Sequence, residues 1–256
     1  MRLVRQKLWC IRELAAVLAV TGVLAFCPGV AISAEAVTKP TLAQQLQHQR
    51  EQSAQKMPAA VRRVMKEKTE EIARSGLVEK SLRVGDKSPD FELPSATGKT
   101  VRLGDLLQHG PVVVAFYRGG WCPYCNLELR ALQETLPEIK KLGAQVVAVS
   151  PQMPDSSLAT KEKNELQFQV LSDQHNSVAR QFHLVFTLPE EVRTIYKGFG
   201  HDLVARNGDN SFELPFPATY VIGQDRIIRF AFVNADYTKR AEPADILAVL
   251  RELRRK

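Results

Sequence analysis

The sequence is poor in the residue types that usually staple a fold or hold a metal. Of 256 residues only four are Cys, five His and two Trp. Four cysteines exclude a disulfide-dense scaffold. The histidines (His48, His109, His175, His183, His201) form no pair at ligand spacing, so no metal site is expected. No collagen-like period or low-complexity run is present, which excludes fibrous and disordered classes. Charge is only mildly one-sided, 35 Lys and Arg against 28 Asp and Glu, net +7. No dense basic cluster is interleaved with aromatics, and nucleic acid is therefore not an expected partner. What is present is 45% hydrophobic and 25% charged residues, the balance of a globular chain that buries one sizeable core. At roughly 150 residues per domain, the length fits one domain with extensions.

The first 34 residues have the layout of a secretory signal peptide. Arg2, Arg5, Lys7 and Arg12 precede residues 15–26, twelve without a charge, and a helix-breaking Cys27-Pro28-Gly29 leads into small residues ending at Ala34 or Ala36. Export to a bacterial periplasm or cell envelope is the expectation, with an uncleaved membrane anchor as the lesser alternative, since residues 15–32 are also uncharged. Cleavage after Ala34 leaves 31 basic and 27 acidic residues, net +4, and removes Cys10 and Cys27. Two cysteines remain, Cys122 and Cys125.

Residues 35–81 read as a helical extension. Val61, Val64, Met65, the stem of Lys68 and Ile72 recur at spacings of three and four, with Leu77 beyond, marking one amphipathic helix or two parted near Pro58. From residue 82 to 256 short apolar runs punctuated by Gly and Pro mark the main domain. Residues 111–117 (PVVVAFY) are a strand covered on both faces. Residues 123–141 are helical by Leu129, Leu132, Leu136 and Ile139, and stop at Gly143. Residues 145–150 (QVVAVS) are a second buried strand, closing a βαβ unit. Strands at 168–171, 218–222 and 226–233 and a closing helix at 243–253 complete an α/β fold with a mixed sheet. Residues 185–217 are expected to be long and irregular, with Tyr196, Phe199, Phe212 and Phe216 available to line a site or an interface.

The chemistry lies at Trp121-Cys122-Pro123-Tyr124-Cys125. A Cys-x-x-Cys between a strand and a helix places both thiols at the helix N-terminus, where free N–H groups and the macrodipole favour thiolate, the reactive species. Pro123 suits the first helical position because no donor is needed there. A purely structural disulfide closing two residues removes little chain entropy, and a zinc half-site lacks its other ligands, so a redox pair is the favoured reading.

The residues 85–93 (GDKSPDFEL), then Gly98, Val101 and residues 113–117, resemble the opening of the alkyl hydroperoxide reductase/thiol-specific antioxidant family, the peroxiredoxins. Residues 147–150, the Leu171-Ser172-Asp173 turn and residues 218–222 resemble its later strands. The resemblance spans about 82–252 and implies a thioredoxin-like fold with a mixed central sheet flanked by helices. It also implies a thiol peroxidase that reduces hydrogen peroxide or organic hydroperoxides, needs no cofactor, and is restored by a thioredoxin-like or other thiol reductant.

The site departs from the family's Pro-x-x-x-Thr-x-x-Cys pattern. Its Pro falls on Arg118, its Thr on Cys122, its peroxidatic Cys on Cys125 and its distant Arg on Pro217. A thioredoxin-type Trp-Cys-x-x-Cys stands instead, with Pro217 where thioredoxins have a cis-proline facing the disulfide. Cys122 and Cys125 are the catalytic candidates, either one the first nucleophile, with Arg118, Trp121 and Pro217 positioning substrate. The alternative reading is a thiol-disulfide oxidoreductase acting on protein disulfides of the cell envelope. A binding module using the extension and residues 185–217 ranks last.

Overall fold

The computed structural model describes residues 39–255; the signal-peptide expectation lies outside them. Its centre is a five-stranded sheet of β3 (Val112–Phe116), β4 (Gln145–Ser150), β5 (Gln169–Ser172), β8 (Ala218–Ile222) and β9 (Ile228–Val233), in the order β5-β4-β3-β8-β9. β3, β4 and β5 run parallel, while β8 is antiparallel to both β3 and β9. Every residue of β3 and β8 is buried, which explains why these strands read as unbroken apolar runs without alternation.

Two core layers form on the two faces. On one, Val113, Ala115, Val146, Ala148 and Val221 meet α4 (Pro123–Lys141) and α9 (Pro243–Arg254). Leu129, Leu132, Leu136 and Ile139 of α4 are buried here, each worth about 1.5–3 kcal/mol. On the other, Val112, Val114, Phe116, Val147, Val149 and Tyr220 pack against Phe182, Leu184 and Phe216. The Leu-Ser-Asp turn orders this side, since Asp173 accepts from the N–H groups of Val178 and Ala179 at 2.9 and 2.8 Å and so starts α6 (Ser177–Gln181).

Before the sheet come α1 (Leu42–Lys56), α2 (Ala59–Ala73), a ribbon of β1 (Glu92–Pro94) and β2 (Thr100–Arg102), and α3 (Leu103–Leu107). The extension is two helices parted at Met57-Pro58. Thr41 opens α1 with a capping box to Gln44. Leu42 and Leu46 join the α4 layer, whereas Met65 of α2 joins the opposite layer. The α1–α2 turn therefore crosses from one face of the sheet to the other.

The expectation of an irregular 185–217 segment is corrected. It forms β6 (Val185–Thr187), α7 (Glu190–Gly198), α8 (Leu203–Asn207) and β7 (Glu213–Pro215), with β6 and β7 paired. Pro189 precedes α7 and Glu190 and Glu191 fill its first turn; Asp202 accepts from Ala205 N–H to cap α8, and Gly208 at φ +76° ends it. These helices are too short for their period to show in sequence. A further helix, α5 (Pro154–Lys163), follows β4; its buried residues are Ser157 and Thr160, so it carries no apolar stripe.

Candidate active site

The site is built where β3 ends and Arg118-Gly119-Gly120-Trp121 turns the chain into α4. Both glycines are imposed by close approach. Gly119 has φ +145° and a Cβ there would fall 2.3 Å from Trp121 Nε1, while a Cβ on Gly120 would fall 2.1 Å from Thr160 Oγ1. Gln152 Oε1 accepts from Gly120 N–H at 2.8 Å, and Asn126 Nδ2 donates to Gly120 O at 2.9 Å. The turn is thus fixed from α4 and from the loop after β4. Cys122 is the N-cap of α4 and Pro123 its first residue, as the motif predicts, and Cys125 lies in the first turn. Both are unbridged and buried, with 1% of Cys122 and 0% of Cys125 exposed.

Two buried guanidiniums face this pair. Arg118, 2% exposed, has its guanidinium carbon 5.0, 5.4 and 4.8 Å from the ring centroids of Trp121, Tyr196 and Tyr237, and donates through Nη2 to the Tyr196 hydroxyl. Among the described residues no carboxylate pairs with it. Each ring face offsets about 0.5–2 kcal/mol of a desolvation cost of several kcal/mol. The remaining positive charge favours an anion nearby.

Arg240, also buried, donates from Nη2 to Cys125 Sγ at 2.9 Å and from Nε to Glu128 Oε2 at 2.5 Å. Its Nη1 donates to the carbonyls of Tyr237 and Lys239 at 2.9 and 2.6 Å. Glu128 Oε1 in turn accepts from Thr219 Oγ1 at 2.9 Å. One arginine thereby ties α4, β8 and the loop before α9 beneath the thiols.

The thiols are driven apart in acidity. Burial pushes the Cys122 thiol up, but the hydrogen bond from Cys125 and the charges of Arg118 and Arg240 outweigh it and bring it down to about 5. Burial raises the Cys125 thiol well above the usual range, and its hydrogen bond to Cys122 and that residue's charge add to this; Arg240 and Arg118 offset it only in part. Glu128 is pushed up to about 7, chiefly by burial, against the pull of Arg240.

Cys122, Arg118, Trp121, Tyr196 and Tyr237 line one cleft of about 240 Å³, to which the extension adds Ser53, Lys56, Met57 and Met65. Trp121 is held between Tyr196 and His201 in tilted ring contacts, centroids 5.1 and 5.2 Å away. Of the residues singled out in the sequence, Cys122, Cys125, Arg118 and Trp121 come together. Pro217 is buried immediately ahead of β8 and does not line the cleft. From the 185–217 segment, Tyr196 and Phe199 reach the cleft, whereas Phe216 stacks on Phe186 in the core and Phe212 lies under Arg193. Sequence reasoning missed Arg240, Glu128 and Thr219, which carry no motif. It also gave the extension no part in the site.

A mixed five-stranded sheet with a cysteine pair starting the helix after its central strand defines a thioredoxin-like fold with a dithiol centre. A sequence model of the AhpC/TSA family matches residues 84–231, more than half of the chain, and the chain belongs to that family of peroxiredoxin-like proteins. Peroxiredoxin Bcp of Escherichia coli is 36% identical over 101 residues, 40% of this chain; the chain spans only 64% of that relative's length. Putative peroxiredoxin Rv1608c of Mycobacterium tuberculosis is 27% identical over 173 residues, covering 68% of this chain and 99% of the relative. Among solved structures, peroxidoxin BcpB of Mycobacterium tuberculosis superposes with a TM-score of 0.54 at 26% identity, over 67% of this chain and 98% of that one. The 2-Cys peroxiredoxin of Plasmodium vivax, at 18% identity and a TM-score of 0.53 over 68% of this chain and 83% of that one, shares the fold.

Proposed function

We propose that this protein is a thiol-dependent peroxidase in which Cys122 is the nucleophile and Cys125 the resolving thiol. The observation that carries the reading is the Cys122 thiol at the helix N-cap, opening on the cleft and drawn down to about 5, against burial, by the hydrogen bond from Cys125 and two buried guanidiniums. The family's register would give the first role to Cys125. Cys125 does not line the cleft, and its thiol is held well above the usual range, chiefly by burial, which argues for the reverse order.

The Cys122 thiolate attacks the terminal oxygen of a hydroperoxide. The O–O bond breaks, sulfur is oxidised to sulfenic acid, and the alkoxide or hydroxide leaves with a proton as alcohol or water. Arg118 offers positive charge where negative charge develops on the departing oxygen. Cys125 then loses its proton and attacks the Cys122 sulfur, expelling hydroxide that leaves as water and forming the disulfide. Arg240 stabilises the transient Cys125 thiolate, and Glu128, poised near 7, is the neighbouring proton acceptor. Two equivalents of an external thiol restore the pair. Rapid mixing of the reduced protein with hydrogen peroxide tests this; oxidation at the rate of an ordinary thiol of equal acidity would contradict it.

Its relatives favour the peroxidase over a protein-disulfide oxidoreductase. The N-terminal charge and apolar pattern supports an exported protein of the cell envelope. Fractionation with N-terminal sequencing of the native protein checks both export and cleavage.

A further inference from the structure

The cleft over Cys122 has a wall that the family match does not include. The match covers residues 84–231, yet the N-terminal helical pair lines the cleft with Met57 of its turn and Met65 of α2, beside Ser53 and Lys56 of α1. This wall is held in place. Arg62 Nη1 donates to the carbonyls of Ala54 and Met57 at 2.7 and 2.6 Å, fixing the α1–α2 turn. Ala43 N–H donates to the Glu242 carboxylate, anchoring α1 on the start of α9. Met65 is only 7% exposed and belongs to the core layer shared with Phe116 and Tyr196. Facing the two methionines are aromatic rings, and at the lip Phe199 stands 46% exposed, a large apolar side chain with its face to water.

A hydrogen peroxide molecule needs no such surface. It is small and polar, and gains nothing from an apolar wall. A hydroperoxide carrying a carbon body does gain, because the reacting oxygen can sit at Cys122 while the body removes the methionine and Phe199 surfaces from water. Thioether side chains adapt to bodies of different outline. At about 240 Å³ the cleft falls below the ~300–1,000 Å³ of sites for drug-sized ligands, so the body is compact, of the size of one ring or a short branched chain.

We propose, on the peroxidase reading above, that the N-terminal helical pair is the specificity element of this enzyme: Met57 and Met65, with Phe199 at the lip, bind the apolar body of a compact alkyl or aryl hydroperoxide. The partners are fixed by position, since the same cleft holds Cys122.

The test compares cumene hydroperoxide with hydrogen peroxide on the full chain, in the wild type, Met57→Gln and Phe199→Ser. Gln matches Met in length but is polar; Met57 is partly buried at the edge of a core layer, so thermal melts accompany that variant, whereas Phe199 is exposed and its change removes no core packing. The expected result is a ratio of kcat/KM values, cumene hydroperoxide over hydrogen peroxide, lowered about tenfold in each variant, the lower end of the ~10–200-fold seen for small changes in apolar pockets. An unchanged ratio, or equal loss on both substrates, overturns the proposal. A readout without turnover separates this inference from the peroxidase reading. Titrating the reduced protein with 2-phenyl-2-propanol, the alcohol that cumene hydroperoxide yields, should perturb Trp121 fluorescence and do so more weakly in Met57→Gln. Binding weakened in that variant, with no peroxidase activity in the wild type, would uphold the apolar site and refute the peroxidase. Activity on both peroxides without alcohol binding would do the opposite.

Discussion

Arg240 places a guanidinium nitrogen 2.9 Å from the sulfur of Cys125, although 115 residues separate them in the chain. The same side chain bonds Glu128, and both are almost fully buried, with 0% and 2% of their side chains exposed. In the proposed cycle a charged donor on the inner sulfur serves the second half, when that sulfur carries negative charge.

Replacing Arg240 by Gln should therefore slow disulfide closure more than sulfenic acid formation. A hydrogen bond to a charged group is worth about 1.5–3 kcal/mol, or about 10–100-fold in rate. The single variant also strands Glu128 in the interior at a cost of ~3–5 kcal/mol. The Arg240→Gln/Glu128→Gln double variant should recover stability without recovering closure. Stopped-flow tryptophan fluorescence and thermal melts on the three proteins check this; closure restored along with stability would make Arg240 a merely structural residue.

Arg118 acts on the outer sulfur. With Arg118→Met the Cys122 thiol should titrate ~1–3 units higher, because an opposite charge close to a group favours its ionised form by that amount. Thiolate absorbance against pH in a Cys125→Ser background measures it. An unmoved titration would leave the buried guanidinium without the role assigned to it.

The wild-type pH profile follows from the sign of the Cys122 shift. The reactive form is the thiolate, and its folded value lies near 5, below the usual thiol range. The bimolecular rate with peroxide should stay level from pH 8 down to about pH 6 and fall as pH drops through that value. A rate that already falls between pH 9 and 8 would indicate an ordinary thiol.

Gly120→Ala tests the turn. The added Cβ would meet Thr160 Oγ1 at 2.1 Å, so α5 or the turn must shift, at about 1–3 kcal/mol. A lowered Tm together with slower peroxide oxidation is expected, since Trp121 and Cys122 follow directly. Unchanged melting would show that the turn is loose.

The motif itself was legible because its signals are local. Residues 113–117 and 145–150 announce buried strands, and a Pro just after Cys122 announces a helix start, so the sequence predicts the thiols at a helix N-terminus, where Cys122 is the N-cap and Cys125 lies in the first turn. Arg240 and Glu128 were not legible, because a pairing across 112 residues leaves no periodic trace and each looks alone like a solvated helix or loop charge. Arg118 was visible as a candidate, but its cage of Trp121, Tyr196 and Tyr237 draws on three separate segments. Met65 reads as an ordinary helix-face residue, and Met57 beside Pro58 carries no signal of its own. Only the reversal of the chain at Met57-Pro58 over the site turns them into a wall.

The most direct test of the central claim uses the Cys125→Ser and Cys122→Ser variants, each reduced, mixed with one equivalent of hydrogen peroxide and trapped with dimedone for mass spectrometry. A sulfenic acid adduct is expected on Cys122 in the first variant, formed far faster than on free cysteine at equal thiolate concentration, with little reaction in the second. Fast adduct formation on Cys125 in the second variant, or slow reaction in both, would contradict it.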